Sequence, residues 1–191
     1  MKTMKKISML AAVALVAAAS LSCSGDLTDS AAPVELLVTN TQTLQRIDIS
    51  NNNDPDCDKS VGTIQMQLLA KNGSATGQFT QARITRYRVS YQRTDGGRLV
   101  PAPFVRSIDT LIGVGATEAL TEFVIVEQDA VSQAPFAALL PQNGGRDPDT
   151  GRPVVKMDVI VEVFGETLAG DRVYDATRFP LDFCYDCNGC D

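Results

Sequence analysis

The chain has 191 residues, 44% of them hydrophobic, with 23 acidic against 17 basic side chains and no histidine or tryptophan. That length supports one domain with its own core, and the excess of acid opposes non-specific binding to nucleic acid or to anionic lipid. The missing histidine excludes Ser-His-Asp and Cys-His catalysis, imidazole-ligated zinc and histidine-ligated haem, which leaves carboxylates, lysines and thiols as the chemical inventory.

The first six residues, MKTMKK, carry three lysines and no acid, and residues 7–19 form an apolar run, ISMLAAVALVAAA. The run is shorter than the roughly 20 residues a helix needs to cross a hydrocarbon core. A basic start, a short apolar stretch and small residues after it are the layout of a secretory signal peptide. The leader closes on ASLSC, and here the chain resembles bacterial lipoproteins, in which small and apolar residues end at a cysteine that is acylated and becomes the new N-terminus. Ser22 fills the small position before Cys23, while Ser20 stands where that family usually has leucine. The resemblance covers residues 1–23 and implies cleavage before Cys23 and attachment to the membrane by more than one acyl chain, enough for stable anchoring. Ordinary cleavage near Ala19 is the alternative, and cysteine parity weighs against it. Of five cysteines, removing Cys23 leaves four, which can pair completely in an oxidising compartment.

The expected organisation is therefore a signal peptide at 1–22, a lipidated tether at 23–33 and a folded domain at 34–191. Loss of the leader removes three of the 17 basic residues and none of the 23 acidic ones, so 14 against 23 gives a mature net charge of −9. By the same resemblance, Ser24 occupies the position where an aspartate would retain a lipoprotein at the inner membrane. That favours the outer membrane of a bacterial cell envelope. The tether, SGDLTDSAAP, is small and polar without a periodic apolar face.

Beyond it the signal has period two. Weaker strands are predicted at 34–39, 43–50, 104–112 and 118–127. In TIQMQLLA, Ile64, Met66 and Leu68 share a face. In ITRYRVSYQR, Tyr87, Val89 and Tyr91 do so, with Ile84 out of phase, which predicts a bulge near Thr85. The stretch at 129–140, DAVSQAPFAALL, is a short helix candidate interrupted by Pro135. In VVKMDVIVEVF, Val155, Met157, Val159, Val161 and Val163 alternate with polar partners, and Thr177, Phe179, Leu181 and Phe183 repeat the pattern near the end. KNGS, TDGG, NGGRDPDTGRP and LAGD supply turn residues between them. No later stretch is apolar enough for a membrane span.

About eight short strands with turns between them predict an all-β fold, a single antiparallel β-sandwich. The segment ITRYRVSYQRTDGG resembles the third strand and following hairpin of immunoglobulin-like and fibronectin type III domains, and VIVEVFGETLAGDRVYDATRFPLDF resembles their final hairpin. The chain departs from both families in having no tryptophan and no tyrosine in KMDVIVEV. More chain separates the two segments than in the fibronectin type, which implies extra strands or a long insertion.

Several constellations bear on chemistry. Glu118, Glu122, Glu127 and Asp129 are close in sequence but share no catalytic spacing, and an exposed strand face is their plainer reading. Gly113 and Gly115 lack the third glycine and the helix of a dinucleotide loop. Asp54, Asp56 and Asp58, and separately Asp147 and Asp149, alternate as loop ligands for Ca²⁺ do, but without the glycine and glutamate of an EF-hand they are only weak candidates, and solvated Asx-rich turns are the favoured reading.

Cys57, Cys184, Cys187 and Cys190 would serve as a four-thiolate metal or iron–sulfur set, as a redox CxxC, or as two disulfides, and an oxidising compartment favours disulfides. An Asn-Gly turn in CNGC brings its outer residues within disulfide reach, which favours Cys187 with Cys190. Cys57 is then left with Cys184, a pairing the immunoglobulin-like resemblance also implies, because the first strand of such sandwiches runs parallel to the last.

The functional expectation is a lipid-anchored envelope β-sandwich with a binding or structural role, no enzymatic activity and no cofactor. It would meet the membrane through its lipid, with an envelope protein or glycan as partner and no nucleic acid. One alternative is an envelope metal-binding or thiol-redox protein using the C-terminal cysteines. Another is a carbohydrate-binding or calcium-dependent adhesive module.

Overall fold

The alternating segments form the strands they predict. A computed structural model describes residues 32–41, 46–50, 62–73 and 77–187, all within the compact unit Ala31–Asp191. Its strands are β1 (Val34–Asn40), β2 (Arg46–Asp48), β3 (Gly62–Ala70), β4 (Ala82–Arg93), β5 (Phe104–Ile112), β6 (Thr117–Phe123), β7 (Val154–Thr167) and β8 (Arg172–Cys184). They make a three-stranded sheet in the order β1-β3-β6 and a five-stranded sheet in the order β2-β8-β7-β4-β5. All pairings are antiparallel except that β2 runs parallel to β8. The fold is thus all-β, two sheets with their apolar faces packed into one core.

Period two explains the packing. Val155, Met157, Val159, Val161 and Val163 of β7 are fully buried, as are Ile64, Met66 and Leu68 of β3. At about 25 cal/mol per Å² of apolar surface removed from water, each such side chain contributes on the order of 1.5–3 kcal/mol. The bulge expected near Thr85 is present: the register of β4 shifts between Ile84 and Arg86 against both β5 and β7. The shift restores phase, so that Ile84 and Tyr87, three positions apart, both face inward. Gly165 of β7 lies against the bulge, and a Cβ there would come within 2.6 Å of the Arg83 carbonyl oxygen. Glycine is required by that close approach.

Of the strand expected at 43–50, the described residues form only Arg46–Asp48, and two other boundaries differ from expectation. β6 ends at Phe123 instead of 127 because the following residues bind side chains, not a neighbouring strand: the Val124 N–H donates to the Tyr87 hydroxyl at 3.2 Å, and the Tyr91 hydroxyl donates to the Ile125 carbonyl. Burial pushes the Tyr91 hydroxyl above its ordinary pKa, with Glu127 adding to the effect, so it stays protonated as a donor. The helix candidate is divided at Pro135, which has no N–H to give. A 3₁₀ turn at Gln128–Ser132 precedes it, and α1 (Phe136–Leu139) and a second 3₁₀ turn at Pro141–Asn143 follow. Phe136 packs on Phe183 of β8 with ring centroids 4.8 Å apart. Among the described residues no helix is long and apolar enough to cross a membrane.

The registers define two ends. β1 begins at Val34 beside the end of β3 at Ala70, and the β5–β6 link and the β7–β8 turn lie at that same end. The β4–β5 and β6–β7 connections and the segment after β8 lie at the far end.

Candidate functional site

The far end is built around the last residue of β4. Arg93 is almost wholly buried, its side chain 3% exposed between two fully buried carboxylates, Asp95 and Asp147. It donates to Asp95 through Nε at 2.8 Å and Nη2 at 2.9 Å. Asp147 takes Nη2 at 2.8 Å and Nη1 at 3.2 Å, and the Leu99 carbonyl takes Nη1 at 3.0 Å. A Cβ at Gly97 would collide with this guanidinium, so TDGG provides space as well as a turn.

The remaining carboxylate lone pairs meet backbone donors. Asp95 accepts the N–H groups of Gly97 at 3.1 Å and Lys156 at 3.0 Å. Asp147 accepts the Thr150 N–H at 2.9 Å and hydroxyl at 2.7 Å, and Asp149 accepts the N–H groups of Arg98 at 2.6 Å and Leu99 at 2.9 Å. Burial by itself would push Asp95 and Asp147 upward, but these donors and the Arg93 charge outweigh it and hold both below the usual carboxylate range. The cluster latches the 94–100 loop to the 147–152 turn.

Asp147 and Asp149, the weak calcium candidates, have their oxygens bound by N–H and O–H donors, and among the described residues no group of three or more His, Cys, Asp or Glu is arranged to hold a metal ion. Asp54, Asp56 and Asp58 lie outside the described residues.

The expected pairing of the C-terminal cysteines is corrected. The structure pairs Cys184 with Cys187, Cα atoms 6.0 Å apart, in place of Cys57 with Cys184 and Cys187 with Cys190. The cause is Asp48 at the end of β2, which the parallel pairing sets beside Cys184. Its buried carboxylate accepts the N–H groups of Ser50 at 2.8 Å, Asp186 at 3.0 Å and Cys187 at 2.8 Å. Burial tends to raise the Asp48 pKa, and the Ser50, Cys187 and Asp186 donors reverse this and lower it. Asp186 takes a left-handed φ of 49°, and the chain folds back so that Cys187 reaches Cys184. Cys57 and Cys190, like Cys23, fall outside the described residues.

Among the described side chains, the catalytic carboxylate candidates are not gathered into a pair. Glu127 is bound by Arg106 at 2.8 Å, Glu118 is exposed on β6, Asp129 is exposed in the 3₁₀ turn, and the Glu122 side chain lies outside the description. Gly113 and Gly115 turn the chain into β6, not into a helix, and the Gly115 N–H donates to the Leu68 carbonyl at 2.7 Å.

Sequence reasoning missed a cleft of about 310 Å³ between the edges of β5 and β6, lined by Tyr87, Arg106, Ser107, Ile108, Leu120 and Phe123 among others. Tyr87 and Phe123 meet edge to face, centroids 5.6 Å apart. Because its walls come from different sheets, no local pattern marks it.

The outer faces of the sheets differ. The five-stranded face is a ladder of ion pairs, Lys156 with Asp182 at 3.1 Å, Arg178 with Asp158 at 3.5 Å and Arg88 with Glu162 at 3.2 Å, and Arg86 lies over the Phe164 ring at 4.9 Å. On the three-stranded face, Leu37, Gln65, Leu69 and Ala119 are exposed with Glu35 as their charged neighbour. No protein-family model matches the chain, and a search of curated proteins found none similar to it.

Proposed function

We propose that the chain is a lipid-anchored, non-catalytic binding or structural protein of a bacterial cell envelope, acylated at Cys23 and built on an immunoglobulin-like sandwich. The observation that carries it is the leader that ends at Cys23, shortly before β1. The immunoglobulin-like reading draws support from the sheet orders and from β1 and β2, which lie in different sheets, with β2 parallel to the last strand. Non-catalytic binding is supported by the far end, where the buried carboxylates serve loop geometry. The metal-binding form of the cysteine-centred alternative loses ground physically. A four-thiolate set needs Cys184 and Cys187 as separate thiolates, and the Asp48 carboxylate bound to the Cys187 N–H disfavours a thiolate there. By the lipoprotein resemblance the outer membrane is its site, with an envelope protein or glycan as partner.

The test is metabolic labelling with a fatty acid followed by detergent-phase partition. Wild type is expected to carry label and enter the detergent phase, and Cys23→Ala to lose both. A mature chain beginning at Ser20 with an unmodified Cys23 overturns the anchor.

A further inference from the structure

We infer that β6 is a docking edge for an extended peptide segment of another envelope protein, neutral to basic in charge, which adds as a strand and places one apolar side chain in the cleft between β5 and β6. The inference rests on the binding reading above and is independent of the lipid anchor. Among the described residues β6 pairs with β3 alone, in a register that sets Gln65 opposite Ala119 and Gln67 opposite Thr117. In the same register the Leu68 N–H donates to the Ala116 carbonyl at 3.4 Å. Antiparallel pairs alternate between bonded and non-bonded. Glu118 and Leu120 therefore bond to β3, while Thr117 and Ala119 turn their N–H and C=O groups to the open side. A row of such groups is satisfied in full only by another strand, which identifies the occupant as peptide backbone.

The cleft supplies what backbone pairing lacks, a selective pocket. Ile108 and Leu120 are half-buried and Tyr87 and Phe123 buried around it, so an apolar side chain entering there removes apolar surface on both partners from water. Charge selects among peptides. Glu118 is exposed on the strand that receives the segment, and Arg106 of the cleft lining is already bound to Glu127, so a basic residue opposite Glu118 is favoured. The same charge argues against a second copy as occupant. Two β6 strands sharing this edge would bring the exposed Glu118 of both copies into one pairing, and like charges set against each other destabilise a sheet.

The experiment pans the full chain against a displayed library of random peptides about as long as β6, which has 7 residues. Enriched peptides are expected to alternate apolar residues and to carry Lys or Arg. Their binding should weaken about tenfold or more in Ala119→Pro, which removes an outward donor without touching a bond to β3. Because proline risks unfolding the edge, Glu118→Lys is the second variant, expected to reverse the preference toward acidic peptides. No enrichment, or binding that keeps its strength in folded Ala119→Pro and its charge preference in Glu118→Lys, overturns the inference. Binding confined to neutral glycans overturns it as well. A chain that carries the lipid label but enriches no peptide refutes the docking edge and leaves the anchor standing.

Discussion

The two ends of the sandwich are stabilised by different means. Where β1 enters, short links turn within the backbone: the Gly170 N–H donates to the Thr167 carbonyl at 2.9 Å, the Thr167 N–H to the Asp171 carbonyl at 2.7 Å, and the Gly115 N–H to the Leu68 carbonyl at 2.7 Å. Gly115 and Gly170 take φ of 79° and 91°, a region where other residues are strained. At the far end the connections are long, and many of their N–H groups have no strand to meet. Asp48, Asp95, Asp147 and Asp149 receive them instead. A long loop brought close to a core must satisfy its donors somehow, and a buried carboxylate does so at the cost of needing a counter-charge, which Arg93 provides for two of them.

Removing that counter-charge is the strongest way to break the contrast. Arg93→Ala leaves Asp95 and Asp147 buried and uncompensated, with an expected loss of about 3–5 kcal/mol in urea unfolding at neutral pH. A loss below about 1 kcal/mol would show that the loops hold without the cluster.

Acid should dismantle the same end more gradually. Asp48, Asp95 and Asp147 have folded pKa values below their ordinary ones, so their stabilisation is complete above the unfolded value of about 3.9 and is lost as pH falls below it toward the folded values. Melting temperature should fall steeply below about pH 4, and Asp147→Asn should flatten that limb. With no histidine in the chain, the melting temperature should be nearly level between about pH 5.5 and 8.

Asp48→Ala tests the tail alone. It removes the acceptor of three N–H groups, with an expected cost of about 1–3 kcal/mol. It should also speed reduction of the Cys184–Cys187 disulfide by a small thiol, since the turn that presents Cys187 loses its tie. An unchanged reduction rate would separate Asp48 from the clasp. The smallest effect belongs to the entry end, where Gly170→Ala places a Cβ at positive φ in open space and should cost about 1 kcal/mol without altering the acid limb.

Much of the fold was legible because strand alternation is local. Val155 to Val163 declare a buried face within one segment, and the out-of-phase Ile84 discloses the bulge at Thr85 without reference to anything distant. Pro135 divided its helix for an equally local reason, a missing donor. The acceptors were not legible. Asp147 beside Asp149 reads as a solvated turn, with a cation loop as the weaker option, until Arg93, 54 residues away, is known to lie between Asp147 and Asp95, and the CNGC turn reads as the tighter cysteine pair until Asp48, 139 residues from Cys187, draws that residue back.

The sequence by itself therefore determined the strands and their inward faces, since each depends on neighbours within one segment. Only tertiary structure decided which carboxylate meets which donor, which cysteines pair and where the edges of β5 and β6 open a cleft. Those outcomes depend on groups that the chain separates widely and the sheets bring together, and no local pattern records the meeting.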